Sequence, residues 1–279
     1  MIEQLIVALD GSPLAERALN YAVPIARGIG ASVRLLSVVP NAAERGAAQD
    51  YLARLAPTVA PSGITVNATV SEGDPARVID TTARPDRDLV VLTSHGRSGA
   101  GRWAYGTVAA RVLEEGSAPV LLVRPWFAIP GLVDGGRPPA ILVPLDGTPT
   151  AEAAIPVALE LARGLNGEIA LLGVVEQAPA APSGLVLWGV APAGPAREDE
   201  AVVRGYLDDL TARIGAPGVV MAPAIRVGMP ATAIADAARD ADATLIVMTT
   251  RAAPNSGPGP VAQELLLHDN RPVLFVRPG

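Results

Sequence analysis

Cysteine is absent from the 279 residues, which excludes disulfides and every metal site or nucleophile built on a thiolate. Lysine is absent as well, so all 22 basic residues are arginine. A Walker-type phosphate loop, a Schiff-base enzyme and a pyridoxal enzyme each need a lysine, and those classes are excluded. Hydrophobic residues make up 49% of the chain, yet no run approaches the roughly 18 to 20 consecutive apolar residues of a membrane helix. The opening stretch MIEQLIVALDGSP has no basic region followed by an apolar core and a small-residue cleavage site, as a secretory signal requires. The formal charge is −6, from 28 acids against 22 bases, with no dense arginine cluster of the kind a nucleic-acid face carries. These absences predict a soluble cytoplasmic protein that binds neither membrane nor nucleic acid.

What is present is a chain written twice. LIVALDGSPLAERAL (5–19) matches ILVPLDGTPTAEAAI (141–155), and VRLLSVVP (33–40) matches IALLGVVE (169–176). EGDPARVI (72–79) matches VGMPATAI (227–234), DLVVLTSHG (88–96) matches TLIVMTTRA (244–252), and APVLLVRP (118–125) matches RPVLFVRP (271–278). The offset is 136 for the first two pairs, 155 to 156 for the next two and 153 for the last. The second copy has therefore gained a Pro/Ala/Gly-rich excursion, APAAPSGLVLWGVAPAGPA, after its second strand and lost three residues before its last helix. The implied organisation is one domain over 1–125, a Pro/Gly linker over 126–138 and a second domain over 139–279.

Each copy alternates strand-like and helix-like segments. Ser12, Pro13 and Glu16, like Thr148, Pro149 and Glu152, supply a side-chain cap, a residue with no amide to leave unsatisfied, and a negative charge in the first turn of a helix. Leu14, Ala18, Tyr21 and Ile25 then follow at helical spacing. The alternation predicts two open doubly wound α/β domains, each a five-stranded parallel sheet with about four helices. The strands fall near 4–9, 32–39, 63–70, 88–93 and 119–124, and near 140–145, 168–175, 219–226, 244–249 and 272–277.

In such a sheet a ligand sits beyond the carboxyl ends of the strands, where strand order reverses. Asp10 follows the first strand, and TSHGRSGAGRWAYGT (93–107) joins the fourth strand to a helix starting at Gly106-Thr107. A helix start offers unsatisfied amides and partial positive charge, and glycines let the backbone approach a ligand closely. This is a lysine-free way to hold phosphate.

Asp10, LLSVV at the end of the second strand, GDP opening the third helix, and TSHG, nine residues, then GT resemble the ATP-binding members of the universal stress protein family. Their glycine pattern places Gly96 and Gly106-Thr107 at the matching positions, with Thr93 standing where the first glycine would be. The resemblance spans nearly the whole chain and makes it a tandem member with the adenine nucleotide alpha hydrolase-like fold. It implies that Ala8 and Val38 form an adenine pocket, with Asp10 contacting the nucleotide directly or through a metal-bound water. Gly96, Gly106, Thr107 and Val108 would line the phosphates, and Arg97 is placed to add positive charge. The implied ligand is ATP, or ADP or AMP, with Mg²⁺; the protein alone supplies no metal site.

The second copy keeps Asp146 and Val174 but reads Thr250, Arg251 and Ala252 in place of SHG, shortens the spacer to six residues, and replaces Gly106-Thr107 by Gly259-Pro260. The proline removes both the hydroxyl and an amide donor. The first domain is expected to bind ATP and the second weakly or not at all. His95 has no Ser/Asp partner spaced for a triad, so it is expected to order the loop, and Trp103 and Tyr105 to pack it down. Asp10 equally suits a cap on the turn into GSP. The two apolar last strands would be exposed edges unless they pair. In the family resembled, subunits dimerise this way, which implies an intramolecular pseudo-dimer and leaves a further homodimer open. The implied role is a stress-response sensor or regulator. A slow ATPase or autophosphorylating enzyme using the same pocket and a nucleotide-free scaffold are the alternatives.

Overall fold

The computed structural model describes residues 1–60, 63–94, 106–124, 138–176, 197–250 and 258–278. The first copy contains β1 (Gln4–Ala8), α1 (Pro13–Glu16), α2 (Leu19–Ile29), β2 (Ser32–Val39), α3 (Arg45–Val59), β3 (Val66–Glu72), α4 (Pro75–Thr82), β4 (Asp88–Thr93), α5 (Thr107–Glu115) and β5 (Val120–Val123). The second repeats the order with β6 (Ala140–Leu145), α6 (Pro149–Glu152), α7 (Ile155–Leu165), β7 (Glu168–Glu176), α8 (Arg197–Ile214), β8 (Met221–Gly228), α9 (Pro230–Asp240), β9 (Leu245–Thr249), α10 (Pro260–His268) and β10 (Val273–Val276). Among the described residues no helix is long and apolar enough to cross a membrane.

Within each copy every pairing is parallel, in the order third, second, first, fourth, fifth. Strand order reverses between β1 and β4, and again between β6 and β9. β5 and β10 pair antiparallel, with Val120 opposite Phe275 and Leu122 opposite Val273. The result is one ten-stranded sheet in the order β3-β2-β1-β4-β5-β10-β9-β6-β7-β8. The last strands are buried along their whole length, and each supplies the neighbour that the other's open edge requires.

The period of two along the strands divides the core. Leu5, Val7, Val33 and Leu35 pack with Tyr21 and Ile25 of α2 and Leu52 of α3 on one face, while Ile6, Leu36, Val90 and Leu92 pack with Ile79 of α4 and Leu113 of α5 on the other. The second copy does the same with α7 and α8 against α9 and α10. On the first face α2 crosses α7 at Gly28 and Gly164. A Cβ added at Gly28 would lie 2.7 Å from the Gly164 carbonyl oxygen.

The helix read from Ser12 onward is broken into α1 and α2. Arg17 and Ala18 donate to the carbonyls of Leu14 and Ala15, three residues back, which tightens the chain before α2 begins. The third strand of each copy lies two to three residues later than periodicity places it. β3 and β8 are half-exposed edge strands whose extent is set by their ladders, Val66–Glu72 along β2 and Met221–Gly228 along β7.

Candidate functional site

A cleft of about 270 Å³ opens where β1 and β4 part. Ala8, Asp10, Val38, Thr93, Gly106, Thr107 and Val108 line it, together with apolar walls from Leu36, Pro75, Ile79 and Leu92. Seven of the nine residues singled out in the first copy therefore share one cavity. Gly96 and Arg97, like His95, Trp103 and Tyr105, lie outside the described residues.

The register shows what Val38 presents. The Leu36 carbonyl faces β1 and accepts from the Leu9 amide at 2.8 Å, while the Val39 carbonyl faces away and accepts from Gly73 at 3.0 Å. Backbone groups alternate sides along a strand, so the amide and carbonyl of Val38 face the β1 side. β1 ends opposite Leu36, and beyond it Val38 meets the cleft instead of a neighbouring strand. A donor and an acceptor side by side on one residue match the edge of an amino-substituted purine.

The start of α5 forms the other side. Gly106 takes the N-cap position with no side-chain cap, and the first amides of any helix have no partner within it. Gly106 has φ −70°, which any residue adopts, and a Cβ there would meet the Ser94 carbonyl oxygen at 3.4 Å. The fold itself does not demand glycine at this position. Asp74 ties α5 to α4: its carboxylate accepts from the Arg77 amide at 3.1 Å as the N-cap of α4, and from Arg111 of α5 at 2.7 Å. The hydrogen bond from Arg111, then that from the Arg77 amide, holds the Asp74 carboxyl below its usual pKa.

Asp10 turns the chain out of β1. Its Oδ1 accepts the Ser12 amide at 2.9 Å, and the Ser12 hydroxyl in turn accepts the Ala15 amide at 3.1 Å. Gly11 sits at φ +81°, where a side chain would be strained. The turn-capping reading of Asp10 is thus a structural fact, and it directs the residue to the cleft rim.

The model of the universal stress protein family matches residues 1–124 and again 139–277. The chain belongs to the universal stress protein family, with two tandem domains. The universal stress protein MJ0531 of Methanocaldococcus jannaschii is 24% identical over 141 residues, covering 44% of this chain and 83% of its own length. The crystal structure of a universal stress protein from Archaeoglobus fulgidus DSM 4304 superposes with a TM-score of 0.76 at 19% identity, covering 99% of this chain and 98% of its own. The fold is therefore shared over nearly the whole of both chains despite low identity.

The second universal stress protein domain has a cleft of its own, about 320 Å³, at the parting of β6 and β9. Asp146 and Val174 line it, as their counterparts do in the first domain. Asp146 accepts from the amide and hydroxyl of Thr148 at 3.0 and 2.6 Å. Four differences reach the cleft. Pro260 occupies the first position of α10 and has no amide to offer. Gly259 before it adopts φ +88°, so the helix is entered by another path. Two further residues were not picked out from sequence: Pro144 stands where β1 has Ala8, and Glu176 brings a second carboxylate where the first domain has Pro40. The ladder between β6 and β9 holds two residue pairs against four between β1 and β4, and Pro144 lies two residues beyond the last of those pairs. A proline inside an apolar strand run was the available signal.

Proposed function

We propose that the first domain binds an adenine nucleotide, ATP with Mg²⁺ or its di- or monophosphate, and that the protein acts in the cytoplasm as a stress-response sensor or regulator. The observation that carries this reading is the cleft between β1 and β4, where the outward backbone edge of Val38 faces the uncapped start of α5. An adenine would hydrogen-bond to the amide and carbonyl of Val38 against Ala8, Leu36 and Ile79. The phosphates would run toward Gly106, Thr107 and Val108, where helix amides and about half an elementary charge favour anions. Gly96 and Arg97 belong to the same loop and would complete the cradle. Asp10 is an anion and would repel phosphate directly, so its place is at the ribose or on a metal-bound water. The cleft volume of about 270 Å³ lies near the lower end of the roughly 300 to 1,000 Å³ of small-molecule sites.

In the second domain Pro260 removes a donor and Glu176 adds like charge beside Asp146, which supports weak binding or none. The antiparallel pairing of β5 with β10 is read as the internal counterpart of a subunit pair. Calorimetry with ATP and Mg²⁺ on the wild type, Asp10→Ala and Gly106→Ala tests the site. Gly106→Ala should fold normally, since its φ and surroundings accept a Cβ, yet bind more weakly. Equal binding by all three proteins would sink the reading. Product formed from ATP above background, and lost in Gly106→Ala, would move the protein to the enzyme class.

A further inference from the structure

The arginines that end the two last strands are exchanged between domains. Arg277 follows β10 of the second domain, yet its Nη2 donates to the carbonyls of Val112 and Leu113 in α5 of the first domain, at 3.0 and 2.7 Å. Arg124 follows β5 of the first domain, and its Nη2 donates to the Leu266 carbonyl in α10 of the second. Leu113 and Leu266 are equivalent positions, each two residues before the end of its helix. Last-turn carbonyls carry the negative end of the helix dipole and have spare acceptor capacity (the Val112 carbonyl also accepts the Gly116 amide at 3.0 Å), so a guanidinium there is well matched. Arg124 is only 5% exposed, and burial lowers the pKa of both arginines, partly offset by Asp269 near Arg124 and Asp80 near Arg277. Neither is a casual surface contact.

The same Arg277 guanidinium reaches the second cleft. Its Nη1 donates to Thr250 Oγ1 at 3.2 Å, and Thr250 is buried and lines that cleft. One planar group thus spans from the wall of the second cleft to the far end of the helix whose start forms the first. We propose that Arg277 is a cross-domain positioning residue that seats α5 for ligand binding in the first cleft and relays its occupancy to Thr250, with Arg124 seating α10 in the reverse direction. A rigid helix translates as a unit, so an anion drawing on the amides of Thr107 and Val108 moves the carbonyls of Val112 and Leu113 as well. The fork of Arg277 carries that movement into the second domain. The second domain is then required by the first even where it binds nothing itself.

The relay rests on the nucleotide reading above; the seating of α5 does not. Amide hydrogen exchange on the intact chain separates them. In the free protein, Arg277→Ala should speed exchange in residues 107–115 while α2 and α3, on the opposite face of the sheet, are unchanged. Addition of ATP to the wild type should slow exchange in residues 245–250 of the second domain, and Thr250→Val should abolish that remote response with Arg277 still in place. ATP affinity should fall roughly fivefold or more in Arg277→Ala. Equal exchange of α5 in Arg277→Ala and wild type would overturn the seating, and a remote response surviving Thr250→Val would overturn the relay. Should Arg277→Ala fail to fold, Arg277→Lys, which keeps the charge and loses the fork, takes its place with the same outcomes. Absence of any ATP binding by the wild type would overturn the nucleotide reading and the relay with it, leaving α5 exchange to score the seating.

Discussion

The crossing of α2 and α7 makes a stability prediction with a built-in control. In an open helix interior Gly→Ala stabilises by up to about 1 kcal/mol, because alanine loses less backbone freedom on folding. At Gly28 the added Cβ would stand 2.7 Å from the Gly164 carbonyl oxygen and 2.8 Å from Leu165 Cδ2. Carbon and a carbonyl oxygen approach to about 3.3 Å at closest in ordinary contacts, so the helices must part by about 0.6 Å. Backbone atoms cannot swing aside as a side-chain tip would. A gap of that size forfeits about a quarter of the dispersion energy of the contacts along the crossing, and overpacking of this kind costs roughly 1 to 3 kcal/mol. The steric cost exceeds the propensity gain, and Gly28→Ala should be destabilised by about 1 to 2 kcal/mol. Gly205 lies inside α8 with nothing within 4 Å of an added Cβ, so Gly205→Ala should instead be stabilised by up to about 1 kcal/mol. Urea unfolding followed by circular dichroism measures both. Gly28→Ala as stable as Gly205→Ala would refute the close crossing and the joining of the two domains through it.

Two pH and capping predictions follow from buried or capped side chains. Tyr21 is 4% exposed, and burial raises its phenol pKa to about 12 against a small opposing pull from Arg17. The folded protein keeps this proton longer than the unfolded chain does, so its contribution is intact below pH 10 and lost as pH rises through about 12. The slope is up to about 1.4 kcal/mol per pH unit; Tyr21→Phe should remove it, and a phenolate absorbance midpoint near 10 for Tyr21 would contradict the burial. For Asp74 the sign is opposite, because its folded pKa is lowered by Arg111 and the Arg77 amide. Its contribution is present above the ordinary carboxylate range and fades as pH falls, so at neutral pH thermal stability should rank wild type above Asp74→Asn, which keeps the cap, and Asp74→Ala last; equal melting of all three would show that the cap and the Arg111 pair contribute nothing.

Much of the fold is legible because it is local and repeated. Ser12-Pro13 and Thr148-Pro149 announce helix starts whose caps form as written, with Ala15 and Ala151 donating to the cap hydroxyls. The apolar runs at 5–9 and 141–145 announce buried central strands, and the matched copies announce two domains. The grouping of Ala8, Asp10, Val38, Gly106 and Thr107 also follows from local order, since parallel strands bring all their carboxyl ends to one edge. The pairing of the two last strands was legible from their apolar edges, but helix crossings and side-chain contacts between distant segments were not. Gly28 and Gly164 look like ordinary helix glycines until α2 and α7 cross. Arg124 and Arg277 look like the polar ends of apolar strands until the strands pair antiparallel and carry each arginine to the other domain's helix. The break at Arg17-Ala18 escaped because apolar spacing carries through it while the hydrogen bonds change.

The second domain clarifies what each part of the first is for. Both copies keep a cleft of similar size, the Asp turn and the outward edge of the second strand, and these are consequences of the fold. The contrast lies at the helix start, where Thr107 becomes Pro260, and at the rim, where Pro40 becomes Glu176. A cavity alone is thus no evidence for a ligand here, since the topology makes one in either domain; the donors along it discriminate. What the second domain retains without reduction is structural: β10 covers the edge of β5, and Arg277 fills the carbonyls of α5. Without β10 the first domain would expose a fully apolar strand edge, and without Arg277 the end of α5 would lose a buried charged donor. The copy whose helix starts at Pro260 still holds, through Arg277, the helix whose start lines the other copy's cleft.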